Sequence, residues 1–541
     1  MNVLRTVSLP AGPPCPRVEG RARIAAQFAA YLTDESRTTA GPVEVVFFPE
    51  DIGHVCRAVE ECAGRGMRLT VAGARTGIVG GAVPVESEAV LALERLNHIR
   101  YVRQDQARDC FFAGVEAGVV LADLQRALRT TPLQELPWAD ERSRQAGMRL
   151  EAGRRRPSYP VDPTETSAQI GGTVATNASG ARTFHYGPTR AWVEAISVVT
   201  AAGEVLRLRR GEVRASQGCF ILASERGAAR VVPLPHLKMP ATKHAAGYYL
   251  RQDMDAVDLF VGSEGTLGIV VEAELRLTLE PPERLLMTCF LPSEADALGL
   301  VQAVRQDGGL RPVAIEYMDG AALELLGAKR AKEGASSGVP PLPEDARAAV
   351  YLELDFDGDA EFRRCYGTVE ALLRRFGSLP RRTWAGLTPG DLAAMKAFRH
   401  ALPEYVNSII GACKLQVPAI HKVGTDMAVP DERLAEIMSL YRDGLRRAGL
   451  QYVIFGHIGD NHLHVNILPR SEAELGQALG LYEAFARRVV AMGGSVSAEH
   501  GIGRIKRALL RIQFGPEVVS QMRRIKEVLD PGGLLNPGVM F

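Results

Sequence analysis

At 541 residues the chain is longer than one hydrophobic core supports, so two or three domains are expected. A 46% hydrophobic and 23% charged composition is that of a soluble globular protein, and 64 basic against 63 acidic residues give no electrostatic reason for nucleic-acid or anionic-membrane binding. Eight scattered cysteines without a CxxC pair argue against an iron–sulfur module, a zinc knuckle or a disulfide framework.

In chain order, a Pro-rich lead (1–42) precedes a short apolar strand in 43-PVEVVFFPED-52 and a helix over 51–66 that ends at Gly66. A strand at 68–73 runs into the glycine-rich stretch 73-GARTGIVGGAVP-84. Strands follow at 89–93, 98–105 and 111–120, then a helix over 121–129. Residues 137–156 are charged and weakly patterned, and read as an exposed insertion. The Arg-rich runs at 153–157 and 207–211 read as solvated loop charge. A second dense region, 160–190, leads into two strands over 193–211 that turn at Ala202-Gly203. Residues 228–250 are irregular, and 257–283 read as two closing strands. Beyond Pro281-Pro282 the pattern changes to longer strands (285–291, 350–358) and amphipathic helices (294–306, 361–377), with a Gly/Ser/Pro loop at 334–345. The main domain boundary is placed at 280–282. No window reaches the roughly 18 apolar residues of a spanning helix. The expected compartment is the cytoplasm, with peripheral attachment at the inner face of a membrane left open.

Three glycine-rich stretches stand out. The first, 73–81, follows a strand but is neither GxGxxG nor GxxxxGK[ST], and no helix begins after it. It suits a nest of backbone N–H groups that could hold one anion. The second, 170-IGGTVATNASGAR-182, reads as a loop whose small residues let a flat ligand lie against backbone. The third, 262-GSEGTLGIV-270, alternates glycine with polar side chains. Tight turns explain any one of them; together they suggest a long ligand with phosphate and aromatic parts.

The stretch 457-HIGDNHLHVNILP-469 holds three of the chain's 11 histidines. Read as a strand, its second half points His462, His464 and Asn466 to one face and Leu463, Val465 and Ile467 to the other. A solvated strand face more commonly carries Lys, Glu or Thr. This one reads as the wall of a polar pocket.

Together, 73–84, 160–182, 260–270, 457–464, 498-AEHGIG-503 and 529-LDPGGLLNPG-538 resemble the flavoenzymes of vanillyl-alcohol oxidase type, in particular the D-lactate, glycolate and D-2-hydroxyglutarate dehydrogenase branch. The motifs span nearly the whole chain in the family's order. The resemblance implies an α+β fold: a two-part FAD-binding domain (43–282, completed by 516–541) and a cap domain (283–515) with an antiparallel sheet and flanking helices. It implies that Ala74, Arg75, Thr76 and Gly77 hold the FAD pyrophosphate. Ile170, Gly171, Gly172, Thr176, Asn177, Gly180, Gly262, Gly265 and Ile269 would line the rest of the cofactor, and Asn536 would approach the ring from the tail. The first loop lacks the histidine that tethers FAD in some relatives, so non-covalent FAD is expected.

The same resemblance implies a divalent cation, zinc or manganese, on His457, His464 and Glu499, and His500 as the general base. Arg399 and Lys422 would grip a substrate carboxylate, with Lys243 and Tyr248 as minor candidates. The implied chemistry is oxidation of a D-2-hydroxy acid to the 2-oxo acid, with hydride passing to flavin N5 and electrons on to a quinone, cytochrome or electron-transfer flavoprotein. The sequence departs from the family's H-x-G-D-G-N-x-H at Asn461 and His462. A pocket-facing His462 would add a third nitrogen ligand or a substrate contact, and Asn466 is a further substrate candidate. The alternatives are a flavin oxidase using oxygen, an ether-lipid synthase that uses flavin without metal, and a non-redox metal-binding protein on the same fold. The oligomeric state stays open, a homodimer included.

Overall fold

A computed structural model describes residues 2–130, 140–152 and 156–541. The first unit shows how local sequence sets local structure. Helix Ile52–Arg65 starts where the Asp51 side chain accepts from His54 N, and stops at Gly66 in the left-handed conformation. Its Val55, Cys56, Ala58, Val59 and Cys62 are buried together on one face. They cover a sheet of parallel strands Val45–Phe47, Ala89–Ala92 and Leu69–Ala72, with Arg17–Glu19 added antiparallel at one edge. These strands are almost wholly apolar, as strands covered on both faces should be.

A second, nine-stranded sheet runs in the order Arg230–Pro233, Cys219–Ala223, Val3–Val7, Val205–Arg209, Val193–Val199, Ile269–Leu279, Cys110–Glu116, Ile99–Asp105, with Pro157–Ser158 beside Ile269–Leu279. The first 42 residues thus supply a strand to each of these sheets. The third sheet has eight strands, all paired antiparallel: Trp384–Gly386, Glu283–Leu291, Ala348–Phe356, Pro312–Asp319, Tyr452–Gly456, His462–Ile467, Val423–Gly424, and Met427–Ala428 against His462–Ile467. Helices such as Glu294–Gln306, Gly358–Arg375 and Pro389–Gln416 flank it.

The end of the chain returns to the first sheet. After helix Arg507–Leu529, which breaks at Gly515 before Pro516, Leu535 bridges Leu69 in parallel, and Asn536 N donates to Leu69 O at 2.8 Å.

Four sequence expectations are corrected. The weakly patterned insertion carries a helix, Glu141–Ala152, which buries Ser143, Ala146 and Leu150 and bonds Ser143 Oγ to Val102 N at 3.0 Å. Its ends at 137–139 and 153–155 lie outside the described residues. The stretch 170–176 is a short helix rather than a loop. Residues 256–260 form a helix capped by Asp255, so 257–283 holds one strand, not two. Arg209 and Arg210 are half-buried rather than free loop charge: they pair with Glu274 at 2.7 Å and with Asp258 at 2.8 Å.

Candidate active site

Two groups of residues come together. The first is the seam where the three glycine-bearing segments meet. Arg75, Asn177, Glu264 and Asn536 all adopt positive φ (61°, 50°, 53° and 43°) at this seam, a conformation that costs any residue but glycine. Asn536 fixes the junction with its carboxamide. Oδ1 accepts from Val71 N and Nδ2 donates to Glu264 O, each at 2.7 Å. Glu264 in turn accepts from Ile502 N and Gly503 N at 2.7 Å. Burial pushes its carboxyl up to about 7 against those two hydrogen bonds.

Next to this seam, the backbone N–H groups of Ala74, Arg75, Thr76 and Gly77 meet no protein acceptor among the described residues. A Cβ built on Gly77 or Gly172 would touch nothing within 4 Å, so both backbones border open space. Unpaired donors beside open space suit an anionic, elongated group, and the segment fits the pyrophosphate of FAD. Gly171 and Gly180 have a different reason to be glycine. A Cβ there would stand 2.6 Å from Ala117 Cβ and 1.9 Å from Asp162 O. Ile170, Ile269, Gly262, Gly265 and Asn177 are buried in the same seam, and Thr176 bonds back to Gly172 O at 2.9 Å. Tyr248 lies behind it, bonded to Thr266 Oγ1 at 2.7 Å.

The second group is built by strand His462–Ile467 and the turn before it. Asn461 occupies the left-handed position (φ 51°), which explains a glycine preference there; its amide bonds Asp431 Oδ1 and Arg305 Nη1 at 2.5 and 2.9 Å. His457 Nε2, His464 Nε2 and His500 Nε2 lie 3.4, 3.5 and 3.6 Å from one oxygen of Glu499. His462 Nδ1 lies 3.9 Å from the other oxygen. His464 and His500 are stacked, with ring centroids 5.5 Å apart. Donor atoms of His457, His462, His464 and Glu499 all fall within 4.8 Å of one another.

Residues outside the sequence motifs orient this cluster. Glu316 accepts from His457 Nδ1 at 2.6 Å and is followed by Arg399 Nε at 3.9 Å, so Arg399 stands one residue behind His457. Asp426, fully buried, accepts from Ser497 Oγ, Lys506 Nζ and the backbone N–H groups of Glu499 and His500. Lys243 contacts Glu499 Oε2 at 2.9 Å. Burial alone would raise the Glu499 carboxyl, but Lys243 and His457 hold it well below the usual range. Burial also works against a charged His457, yet Glu316 and Glu499 carry it up to about 9, so a cation held at Nε2 would displace the proton that Glu499 otherwise favours there. Burial lowers His500, against the pull of Asp426, and leaves it a neutral imidazole near pH 7. Lys422 is half-buried and pairs with no carboxylate among the described residues, and burial lowers it. Asn466 sits opposite Gly424 in the strand register.

The donor chemistry fits a divalent cation: imidazoles and a carboxylate gathered on buried and half-buried positions, among them fully buried His462, whose ring nitrogens make no hydrogen bond. Sequence reasoning missed Glu316, Asp426, Glu264 and Lys506. Glu316 carried a signal as the one acid inside the run PVAIEYM of its strand; Asp426 and Lys506 had none.

A model described as "FAD linked oxidases, C-terminal domain" matches residues 280–540, and "FAD binding domain" matches 43–135 and 150–209. The chain is 30% identical over 511 residues to a D-2-hydroxyglutarate dehydrogenase of Xanthomonas citri pv. viticola, covering 93% of this chain and 90% of the relative. The chain belongs to the FAD-linked oxidase family. It is an oxidoreductase of that family, and the FAD-binding match supports FAD as its cofactor. A D-lactate dehydrogenase of Anaerostipes hadrus is 27% identical over 92% of this chain and 89% of its own length. A solved alkyldihydroxyacetonephosphate synthase aligns with TM-score 0.58 at 17% identity, over 92% of this chain and 77% of that one, a likeness of fold alone. The gap in the FAD-domain match, 136–149, falls on the helical insertion. Among the described residues no helix is long and apolar enough to cross a membrane.

Proposed function

We propose that this FAD-linked oxidase oxidises a D-2-hydroxy acid, of the D-lactate or D-2-hydroxyglutarate kind, to the 2-oxo acid with the help of a divalent cation. The observation that carries it is the convergence of three histidines and His500 on Glu499, beside the cofactor seam. The names of the similar enzymes support the substrate class. His457, His464 and Glu499 would hold the cation, zinc or manganese. When bound, the cation supplies Lewis acidity toward a hydroxyl and a carboxylate, and non-covalent FAD supplies the two-electron acceptor.

The chain's own residues do the rest. His500, neutral near pH 7, takes the α-hydroxyl proton at Nε2, while Asp426 Oδ2, 3.4 Å from Nδ1, holds the ring and steadies its charged form. Lys422, a cation without an anionic partner among the described residues, is suited to a substrate carboxylate, and Arg399 adds positive charge behind His457. Ala74 to Gly77 offer their N–H groups to the pyrophosphate. Electrons then leave to a quinone, a cytochrome or an electron-transfer flavoprotein.

The test is anaerobic titration of the purified protein with D-lactate, D-2-hydroxyglutarate and glycolate, following the flavin's visible absorbance before and after chelation. Bleaching by one acid that chelator abolishes and zinc or manganese restores is the expected result. A yellow protein that none of them bleaches rules out the hydroxy-acid reading. Bleaching that survives complete metal removal takes from His457, His464 and Glu499 their assigned role.

A further inference from the structure

We infer that His462 is a direct ligand of the cation, so that the site is built from three imidazoles and one carboxylate. The inference rests on the cation reading above and goes beyond its two histidines.

Two of the three imidazoles have one nitrogen hydrogen-bonded to an acceptor outside the cluster, and the third, His462, has Nε2 close to a carboxylate oxygen but not aligned for a hydrogen bond. His457 Nδ1 is 2.6 Å from Glu316 Oε1, His464 Nδ1 is 3.1 Å from Thr425 O, and His462 Nε2 is 3.0 Å from Asp426 Oδ1. An acceptor on one side of an imidazole draws the proton there and leaves a lone pair on the other nitrogen. The three lone-pair nitrogens, His457 Nε2, His464 Nε2 and His462 Nδ1, all face Glu499, at 3.4, 3.5 and 3.9 Å. Donors about 3–4 Å apart are what one cation bound at about 2.0–2.2 Å requires.

Neither ring nitrogen of His462 makes a hydrogen bond, and the residue is fully buried: Nε2 has the Asp426 carboxylate 3.0 Å away, whereas Nδ1 faces only the cluster. Buried nitrogens without a partner are rare because the lost hydration goes unreplaced; a cation would replace it. Burial also separates this role from that of a substrate contact. The His464 and His500 side chains are 14% and 25% exposed and form the open side of the cluster, whereas His462 is closed off behind them. A second cation on Asp426, His464 and His500 does not compete, because His464 has one lone pair to give and Asp426 is already filled by Lys506, Ser497 and two N–H groups.

The first measurement needs no variant: X-ray absorption at the zinc edge of the full-length, FAD-loaded protein, where imidazole scattering counts the histidines. Three are expected. The second is zinc affinity by competition with a chelator in His462→Asn, with flavin content and thermal midpoint as checks on folding. Second-shell losses weaken metal binding 10- to 100-fold, so loss of a ligand should cost about 100-fold or more, and the visible spectrum of the Co(II)-loaded protein should change in the variant. Two imidazoles in the wild type, or unchanged affinity and Co(II) spectrum in the variant, overturn the inference and leave the proposed function intact. If the wild type binds neither zinc nor manganese, or His457→Ala binds the cation as tightly as the wild type, the cation reading falls and this inference with it.

Discussion

The cofactor seam and the histidine cluster are both assembled from segments hundreds of residues apart, yet their polar atoms are spent in opposite ways. At the seam, Asn536 uses both ends of its carboxamide and its own N–H on the protein, and Glu264 is claimed by two backbone donors. In the cluster, three imidazole nitrogens crowd one carboxylate oxygen at 3.4–3.6 Å, too far for a good hydrogen bond, and His462 Nδ1 bonds to nothing. The seam's side chains are satisfied by the fold itself, and the N–H groups of residues 74–77 at its edge are left over among the described residues. The cluster is held in place by the fold and left unfinished by it, as sites reserved for a ligand are.

That contrast is breakable. The largest effect is expected from His500→Ala, which should slow anaerobic flavin reduction by about 10²- to 10⁴-fold while flavin content and zinc affinity stay near wild type; a loss of flavin instead would move His500 to the seam's side of the comparison. Asn536→Ala should do the reverse. It strands Val71 N and Glu264 O, at about 1–3 kcal/mol for each buried group left unpaired. Denaturant unfolding should report that loss, and turnover per bound flavin should be unchanged.

Glu264 sharpens the seam further. Its folded pKa, about 7, lies above the ordinary 4.5, so its share of stability is fully present below pH 4.5 and is lost as pH rises through about 7. The loss amounts to about 3 kcal/mol. Unfolding of the apoprotein across that window should show the fall, and Glu264→Gln should flatten it. The smallest effect belongs to a pair in neither region: removing Glu370 from its 2.7 Å contact with Arg374 on a helix surface should change stability by about 0.5 kcal/mol or less, read by the same unfolding experiment.

How much of this was legible in the sequence follows the same division. Strand His462–Ile467 presents its polar and apolar faces as its alternation predicts, and helix Ile52–Arg65 has the cap and stop its ends announce. The helix at 170–176 was hidden by paired glycines, of which Gly171 has a packing value that exists only once Ala117 is beside it, while Gly172 faces open space. Residues 257–260, three apolar positions interrupted by Asp258, are too short for period to decide between strand and helix. The insertion's helix could have been found, since Ser143, Ala146 and Leu150 recur at spacings of three and four. Cluster residues in motifs were visible, but Asp426 and Lys506 act only through three-dimensional proximity.

The tail that carries Asn536 has a consequence in time. It closes on Val71 across 465 residues of chain, so during synthesis at about 5–20 residues per second the first glycine-rich segment waits on the order of half a minute or more for the partner that completes it. The entire cap is made in that interval. Cofactor loading is therefore expected late, on a nearly finished molecule, and any truncation short of residue 536 should release a chain whose first half cannot keep its flavin however well its own strands pair.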